Sequence, residues 1–322
     1  MSAPDDELGA LAAQIIKTGS KSFAAAAKLF PAETRTSAHL LYAWCRHCDD
    51  VIDGQTLGFE SGEAGRHDPA RALDQLRIQT KRAIAGATMD DPIFEALKRV
   101  CAKHEIPAAY PLALLDGFQM DVENRTYASL NETLTYCYHV AGVVGIMMSM
   151  IMGAREETVL DRANDLGLAF QLSNIARDVL DDAKLDRVYL PAEWLSEVGV
   201  EAMPAAILAP DNRSRLSQVA RRLVDEAEKY YDSSLHGLEH LDLRSAWAIA
   251  AAHSIYRKIG KRVVERGADA WDTRSATSKV EKLGSVVSAA GTALYAHSLG
   301  KLSQPEPRAG LWTRPLVEQR IS

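Results

Sequence analysis

Two pairs of aspartates at helical spacing constrain this sequence more than any other feature. Asp49 and Asp53 lie in the helix-forming stretch YAWCRHCDDVIDG, and Asp178 and Asp182 lie in QLSNIARDVLDDA. Residues four apart project from the same face of a helix, so each pair places two carboxylates side by side. Like charges at this spacing destabilise a helix by roughly 0.2–0.5 kcal/mol. The pattern therefore predicts that each pair binds something cationic.

The chemistry of these side chains favours a hard divalent cation. Carboxylate oxygens suit Mg²⁺ or Mn²⁺, and Mg²⁺ usually shares its coordination shell with water and substrate phosphates. Gly54 follows Asp53 and is expected to end the first helix, which leaves this pair near the negative end of the helix dipole. An exposed acidic patch is the alternative for either pair alone. Two such faces together predict a clamp around one diphosphate.

Further polar residues accompany both pairs in apolar surroundings. Gln171, Asn174, Asp178 and Asp182 follow one another at intervals of three, four and four residues, and Arg46 shortly precedes the first pair. Such intervals place the side chains in one stripe along a helix. A polar stripe on an otherwise apolar helix indicates that the helix lines a site.

The bulk composition predicts one globular all-α domain. The chain has 322 residues, of which 47% are hydrophobic and 25% charged, and no linker rich in glycine, serine or proline divides it. We predict a single domain over residues 1–303 and a weakly ordered tail, or one laid across the surface, over residues 304–322. The net charge of −6 argues against nucleic-acid binding. The absence of a secretory signal predicts a cytoplasmic location.

Apolar spacing and the positions of proline and glycine predict the helices, and no convincing strand pattern is present. Loops are expected at residues 54–69 and 185–210. The apolar run Val140–Ala154 is too short to span a bilayer comfortably and is predicted to be a core helix. The predicted helices cover residues 5–17, 20–29, 32–53, 70–88, 92–104, 108–121, 131–152, 156–184, 212–237, 243–267 and 278–300.

Several other chemistries lack their sequence signals. Cys45 and Cys48 form a Cys-x-x-Cys without a second cysteine pair, so buried packing is favoured over zinc or redox chemistry. No histidine has a glutamate three residues before it, which excludes a carboxylate-bridged di-iron bundle. Phosphate-binding loops, dinucleotide fingerprints and nucleophile elbows are also missing.

One predicted helix carries a basic run, and several aromatic residues are scattered through the chain. The run is interpreted as a solvated or membrane-surface face. The aromatic residues are typical of a core, although their π-faces also shield a cation. The basic residues are Arg257, Lys258, Lys261, Arg262 and Arg266, and the aromatic ones are Phe23, Tyr42, Phe118, Tyr138 and Tyr256.

At these residues the chain resembles the squalene/phytoene synthase family. The resemblance runs from about residue 18 to residue 284 and includes several long motifs in the family's order. It implies an all-α, single-domain isoprenoid-synthase type helical bundle with a central apolar cavity. The motifs are GSKSF (19–23), YAWCRHCDDVIDGQTLGF (42–59), YCYHVAGVVG (136–145), LGLAFQLSNIARDVLDDA (166–183), DRVYLP (186–191) and RSAWAIAAAHSIYRKIG (244–260).

The resemblance also implies roles for individual residues. The implied metal ligands are Asp49, Asp53, Asn174, Asp178 and Asp182, and the implied catalytic residues are the four aspartates with Tyr42 and Arg46. The implied substrate-binding residues are Ser20, Lys21, Ser22, Tyr42, Arg46, Gln171, Arg177 and Tyr256, with Arg187 and Arg274 as weaker candidates. One departure is visible, because the family usually has Gly-Arg where this chain has Asp186-Arg187. It leaves the turn geometry and the direction of Arg187 open.

The implied reaction joins two molecules of geranylgeranyl diphosphate head to head in carotenoid biosynthesis. It proceeds to prephytoene diphosphate with loss of one diphosphate, and then to phytoene with loss of the second. Clustered Mg²⁺ or Mn²⁺ and arginine would neutralise the leaving group, and no NADPH is expected. The carbocation requires a cavity that excludes water, to which Phe23, Ala24–Ala27, Gly142 and Gly145 are expected to contribute wall or space. The final proton goes to released diphosphate or to a tyrosine.

Two other functions stay open. One is the joining of farnesyl diphosphate to dehydrosqualene or squalene, of which the squalene route needs NADPH. The other is a non-catalytic helical relative, against which the intact aspartates count. The apolar product and the basic run also predict peripheral contact with the inner membrane.

Overall fold

The computed structural model describes residues 3–19, 21–56, 59–60, 68–273, 275, 277–298 and 307–316. For residues 3–6, 21–22, 55–56, 59–60 and 279 it describes the backbone alone. Ser20 and Arg274 lie outside the described residues, and so do the side chains of Lys21 and Ser22.

The described residues form an all-α fold, which confirms the predicted class. Fourteen α-helices follow one another along the described ranges: α1 (Ala3–Gly19), α2 (Lys21–Ala27), α3 (Ala32–Asp53), α4 (Pro69–Ile84), α5 (Pro92–His104), α6 (Ala109–Val122), α7 (Leu130–Cys137), α8 (Val143–Ile151), α9 (Glu157–Lys184), α10 (Ala192–Glu197), α11 (Pro204–Leu208), α12 (Arg213–Ser234), α13 (Leu243–Arg266) and α14 (Lys279–Ser298).

Local capping explains where several of these helices begin and end. The Asp68 and Asp91 carboxylates accept hydrogen bonds from first-turn backbone amides of α4 and α5, and a proline follows each of them. Asp242 caps α13 in the same way. Gly54 adopts the left-handed conformation (φ 64°) and ends α3, as predicted. Side-chain caps and C-terminal glycine satisfy backbone groups that a helix leaves unpaired at its ends.

Three details differ from the sequence prediction. The expected loop 54–69 contains a two-stranded antiparallel ribbon of β1 (Gln55–Thr56) and β2 (Phe59–Glu60). The expected loop 185–210 contains α10 and α11. The predicted helix 131–152 is interrupted by a π-helical turn, Tyr138–Gly142, between α7 and α8. These elements are too short to produce a periodic pattern in the sequence.

The core is built around α9. This helix is 28 residues long, or roughly 42 Å at 1.5 Å per residue, and it packs against α8, α12 and α13. One continuous run of the described residues, Leu130–Ile151, is long and apolar enough to cross a membrane. Of its most apolar window, 67% is buried inside the fold, as expected of a core helix.

Glycines allow the π-helical turn and α8 to approach α9 closely. A Cβ atom added to Gly167 would lie 2.5 Å from the carbonyl oxygen of Ala141. A Cβ at Gly145 would meet the Ala163 carbonyl, and one at Gly142 would meet the Asn164 amide oxygen. The expectation that Gly142 leaves room for substrate is therefore wrong, because the space beside it is already filled by α9.

The basic run on α13 faces neighbouring helices and is not a free basic surface. The Arg257 guanidinium donates to both Glu228 oxygens of α12, at 3.0 Å to Oε1 and at 2.5 Å to Oε2. Lys258 donates to the Ser285 hydroxyl at 2.8 Å, and Arg262 pairs with Glu281 of α14. The run is still partly solvated, since the Lys261 side chain is 53% exposed, and its interpretation as a membrane-surface face stays a prediction. The partners of the paired side chains lie far away in the sequence, so helical spacing alone did not indicate them.

Residues 307–316, which belong to the predicted tail, pack against α9. The guanidinium of Arg308 donates to Asp165 at 2.8 and 2.6 Å, and the Asp165 side chain is completely buried. Arg314 is 2% exposed and donates to Asp161 at 2.7 Å. A weakly ordered segment would leave these charges solvated. The domain boundary at residue 303 stays a prediction.

We predict that Gly167→Ala lowers the free energy of unfolding by about 1–3 kcal/mol, the usual cost of overpacking. The reason is that the Ala141 carbonyl is backbone and cannot swing away as a side chain could. Gly291→Ala is the matched control, since no described atom lies within 4 Å of a Cβ there, and it should stabilise α14 by up to about 1 kcal/mol. Urea unfolding of both variants measures the difference. Equal stabilities would contradict the close-packing interpretation.

The buried His253 side chain leads us to predict that the stability of the fold falls at acidic pH. Its ring is 6% exposed and lies 3.1 Å from the Tyr231 carbonyl oxygen, and burial lowers its pKa to about 4. Arg257 lowers this pKa further, whereas Asp232 and Glu228 oppose the shift. The unfolded chain therefore binds more protons than the fold between pH of about 6.5 and 4, so the histidine's contribution to stability falls as pH falls through that window.

We expect the free energy of unfolding to fall by roughly 2–3 kcal/mol across that window through His253. The His253→Gln variant keeps a donor for the Tyr231 carbonyl and does not titrate. Urea unfolding at both ends of the window should therefore show a smaller loss for the variant. An equal loss in both proteins would assign the acid sensitivity to other groups.

Candidate active site

A cavity of about 610 Å³ lies at the centre of the bundle, with its walls mainly from α3, α6, α8, α9 and α13. Most of its lining is apolar, as predicted. One end is acidic, because Asp49 and Asp53 of α3 and Asp178 and Asp182 of α9 all reach it. The apolar lining includes Phe23, Leu41, Leu114, Phe118, Val144, Met148, Met152, Leu166, Phe170, Leu238, Leu241 and Ile249.

The remaining candidates also line this cavity where their side chains are described. Tyr42, Arg46, Gln171, Asn174, Arg177 and Tyr256 are all part of the wall. The Asn174 amide lies 3.4 Å from the Gln171 side-chain oxygen, within the predicted polar stripe. The predicted grouping is therefore present in the structure, although the roles of these residues stay predictions.

Arginines pair with the carboxylates of the acidic end. The Arg46 guanidinium donates to Asp49 at 2.9 Å and to Asp50 at 2.5 Å. Arg177 donates to Asp178 with its Nε at 2.8 Å and with a second nitrogen. Fork-like pairing of this kind is what guanidinium groups form with carboxylates and phosphates. The acidic end is thus partly neutralised from within the chain.

Arg187 joins the two acidic helices. It follows α9, and its guanidinium donates to Asp53 of α3 at 2.7 Å. The family resemblance implied Arg187 only as a weaker candidate, and Asp186 in place of the usual glycine left its direction open. Asp186 adopts the left-handed conformation, with φ of 59°, which glycine reaches freely and aspartate tolerates. The turn is therefore kept, and Arg187 points into the site.

Asp182 shows that negative charge at this end is not fully balanced. Burial and the neighbouring Asp178 raise the pKa of Asp182 to about 8, although Arg187 and Arg177 lower it. Burial also raises the pKa of Asp49 to about 6. Its side chain is 42% exposed, however, so solvent screens its charge and Asp182 is the clearer case of unbalanced charge. Burial and a second carboxylate both make the Asp182 carboxyl hard to ionise.

Asp121 is a site residue that the sequence analysis missed. It lies on α6, is 8% exposed, and accepts hydrogen bonds from the hydroxyls of Tyr189 at 2.7 Å and Tyr136 at 3.3 Å. Burial raises its pKa to about 6, against the effect of Arg187. Asp121 has no acidic partner at helical spacing, so the sequence offered no pattern that would single it out.

Aromatic rings flank the cavity next to the acidic end. Phe170 and Tyr256 stack with ring centroids 4.2 Å apart, and Phe23 stacks on Tyr42 at 5.5 Å. These rings present π-faces and exclude water. Phe23 lines the cavity as expected, whereas Ala26 and Ala27 are buried in helix packing.

The cysteines behave as packing residues. Cys45 and Cys48 are free thiols, and Cys48 is completely buried. Burial raises the pKa of Cys45 to about 12, so its thiolate is scarce at neutral pH. Cys48 therefore packs in the core as predicted, whereas Cys45 is half-buried and lines the cavity.

No group of three His, Cys, Asp or Glu side chains among the described residues converges tightly enough to form a closed metal site. The acidic end instead offers two carboxylate pairs that face a shared space. Mg²⁺ commonly takes one or two protein carboxylates and completes its shell with water and substrate phosphate oxygens. The arrangement therefore suits a cation that arrives together with a phosphorylated ligand.

Comparison with known proteins gives consistent results. The squalene/phytoene synthase family profile matches residues 16–282. A 15-cis-phytoene synthase of Pantoea ananas is 53% identical over 305 residues, which cover 95% of this chain and 97% of that protein. A 15-cis-phytoene synthase of a Paracoccus species is 48% identical over 303 residues, covering 94% and 96%.

Solved structures share the fold. A dehydrosqualene synthase bound to a ligand superposes with a TM-score of 0.79 at 27% identity, covering 89% of this chain and 96% of that one. A squalene synthase from Alicyclobacillus acidocaldarius superposes with a TM-score of 0.71 at 22% identity, covering 83% and 97%. The expected isoprenoid-synthase type bundle is thereby confirmed.

The left-handed turn at Asp186 gives a prediction. Asp186→Gly should leave stability unchanged or raise it by up to about 1 kcal/mol, because glycine has no Cβ to strain the turn. Asp186→Val should lower stability by about 1–2 kcal/mol, since a β-branched residue resists positive φ. The side chain is exposed, so packing hardly changes. Urea unfolding ranks the three proteins, and a valine variant as stable as the glycine variant would contradict the strain.

Proposed function

Because this chain belongs to the squalene/phytoene synthase family, we propose that it is the prenyltransferase that condenses two molecules of geranylgeranyl diphosphate to phytoene in carotenoid biosynthesis. The reaction passes through prephytoene diphosphate and releases two diphosphates. The observation that carries this function is the meeting of two aspartate faces at one end of an apolar cavity. A prenyl diphosphate has an anionic head and an apolar chain, and the cavity offers a separate surface to each.

In the proposed function, Mg²⁺ or Mn²⁺ binds at the acidic end of the cavity. The donor set consists of hard oxygens, which these ions prefer, and the raised pKa of Asp182 marks charge that a cation would balance. When bound, the metal neutralises the diphosphate leaving group. The proposed ligands are Asp49, Asp53, Asn174, Asp178 and Asp182.

Arginines complete the proposed diphosphate site. Arg46, Arg177 and Arg187 each donate to a carboxylate of the acidic end. Carboxylates that bind a cation release their guanidinium partners, which are then available to diphosphate oxygens. Ser20, Lys21, Ser22 and Gln171 are proposed for the same site.

The aromatic wall protects the carbocation. The stacked pairs Phe170–Tyr256 and Phe23–Tyr42 exclude water and present π-faces next to the acidic end. Burial raises the pKa of Tyr42, so its hydroxyl is neutral and a weak base. Released diphosphate is therefore the better acceptor for the final proton.

The length of the cavity suits the twenty-carbon substrate. Its lining on α9 extends from Asp182 to Val159, which is roughly 35 Å along a helix that rises 1.5 Å per residue. A fifteen-carbon farnesyl chain would leave more of the apolar end without contacts, and such gaps lose dispersion energy. The proposed location is the cytoplasm, with peripheral contact with the inner membrane that receives the apolar product.

The function predicts a forty-carbon product. Purified protein incubated with Mg²⁺ and geranylgeranyl diphosphate should form phytoene without NADPH, and EDTA should abolish the product. Chromatography of the extracted lipids makes the measurement. A thirty-carbon product from farnesyl diphosphate alone would transfer the assignment to dehydrosqualene or squalene synthesis. No product from either substrate would support a non-catalytic relative.

A matched pair of variants tests the acidic end. Asp182→Asn should lower kcat by about 100-fold or more, because it removes a carboxylate that would hold the metal ion needed to neutralise the leaving group. Asp181→Asn is the control, since the Asp181 side chain is 58% exposed, pairs with Lys184 and does not line the cavity. Calorimetric titration of Mg²⁺ with inorganic diphosphate should weaken for Asp182→Asn only. Equal behaviour of both variants would contradict the assignment.

A further inference from the structure

Helix α14 presents an apolar stripe to solvent. Val280, Leu283, Val287, Leu294 and Tyr295 are 79%, 65%, 67%, 54% and 65% exposed. Their spacing along the helix places them on one side. We call these five residues the α14 face.

The opposite side of α14 is buried through small residues. Ala289, Ala293 and Ala296 pack into a cluster with Leu238 and Leu241, which precede α13. The indole nitrogen of Trp247 donates to the Val286 carbonyl at 2.7 Å and ties the two helices together. The orientation of α14 is therefore set, and the α14 face is turned outward.

The outward side of α14 carries no charge between Leu283 and Tyr295. The other exposed positions in this stretch are Gly284, Ser288, Gly291 and Thr292. Helix α4 shows the ordinary alternative, because its exposed residues include Arg71, Asp74, Lys81 and Arg82. A helix face that is apolar and lacks charge is not typical of a surface that meets only water.

The α14 face lies behind the end of the cavity that is far from the aspartates. Leu238 and Leu241 line the cavity and also pack beneath α14. A single layer of side chains thus separates the deep end of the cavity from the helix that carries the stripe.

We propose that the α14 face docks on the surface of a lipid bilayer, with the deep end of the cavity turned toward the membrane. The argument rests on the proposed function in one respect, because an apolar product needs a route that avoids water. An amphipathic helix lying in the interface buries its apolar side among the acyl chains, and tyrosine is enriched at that depth. The basic run of α13 is less suited to this contact, because Arg257, Lys258 and Arg262 are paired with neighbouring helices.

A second copy of the chain fits this surface less well. Twenty helical residues span roughly 30 Å, and a helix about 10 Å wide offers roughly 300 Å² on one side. A stable dimer usually buries about 800 Å² per partner. A bilayer sets no such minimum for the area of a docking face.

Flotation of the full chain with phosphatidylcholine vesicles tests the proposal. We expect the unaltered protein to float with the vesicles without substrate, and Leu283→Gln/Val287→Gln to reduce the bound fraction at least fivefold. Ile78→Gln/Leu208→Gln is the matched control, since these side chains are 49% and 39% exposed on α4 and α11, and it should float normally. Circular dichroism checks that each variant is folded.

Other outcomes would overturn the proposal. Unaltered protein that stays with the soluble fraction, or an α14 variant that floats as well as the unaltered protein, would exclude this face as a membrane contact. Sedimentation showing a dimer that only the α14 variant loses would assign the face to a second copy. Because binding is measured without substrate, a protein that floats but forms no phytoene would contradict the proposed function and leave the docking surface intact.

Discussion

The structure depends on a concentration of negative charge at one end of an apolar cavity. Four aspartates of α3 and α9 reach this end, and the local dielectric is low enough that unbalanced charge is expensive. Arg46, Arg177 and Arg187 balance part of it through direct pairing. The negative charge that these arginines leave unbalanced contributes to the raised pKa of Asp182. This charge at one end of an otherwise mainly apolar cavity is the feature from which the proposed cation site is argued.

Holding this charge in place requires a rigid frame, which α9 provides. The helix carries part of the acidic end at its C-terminal part and the deep cavity wall at its N-terminal part. Close contact through Gly145 and Gly167 fixes its distance from α8 and the π-helical turn. The same contacts also shape the cavity wall. The interface between α9 and α8 therefore sets both the packing of these helices and the space available for an apolar chain.

Much of the fold was readable from the sequence because its signals are local. Proline, capping aspartates and Gly54 mark helix ends within a few residues, and the aspartate pairs follow from spacing of four. The missed features are contacts between distant residues. Asp121 meets Tyr189 across 68 residues, and Arg257 meets Glu228 from a different helix. Periodic spacing in the sequence indicates only which nearby residues share a helix face. Contacts between distant residues can be identified only in the folded structure.

The ion pairs of residues 307–316 have a consequence for how the protein is made. Arg308 and Arg314 reach back 143 and 153 residues to Asp165 and Asp161 on α9. Until residues 308–314 have left the ribosome, the fully buried Asp165 keeps its hydrogen bond from the Ser233 hydroxyl but lacks the Arg308 guanidinium, and burying a carboxylate without its charged partner is costly. Contacts this distant are also slow to form. Helix α9 can therefore settle into its final packing only late in synthesis, so assembly of the acidic end waits for a segment that takes no part in it.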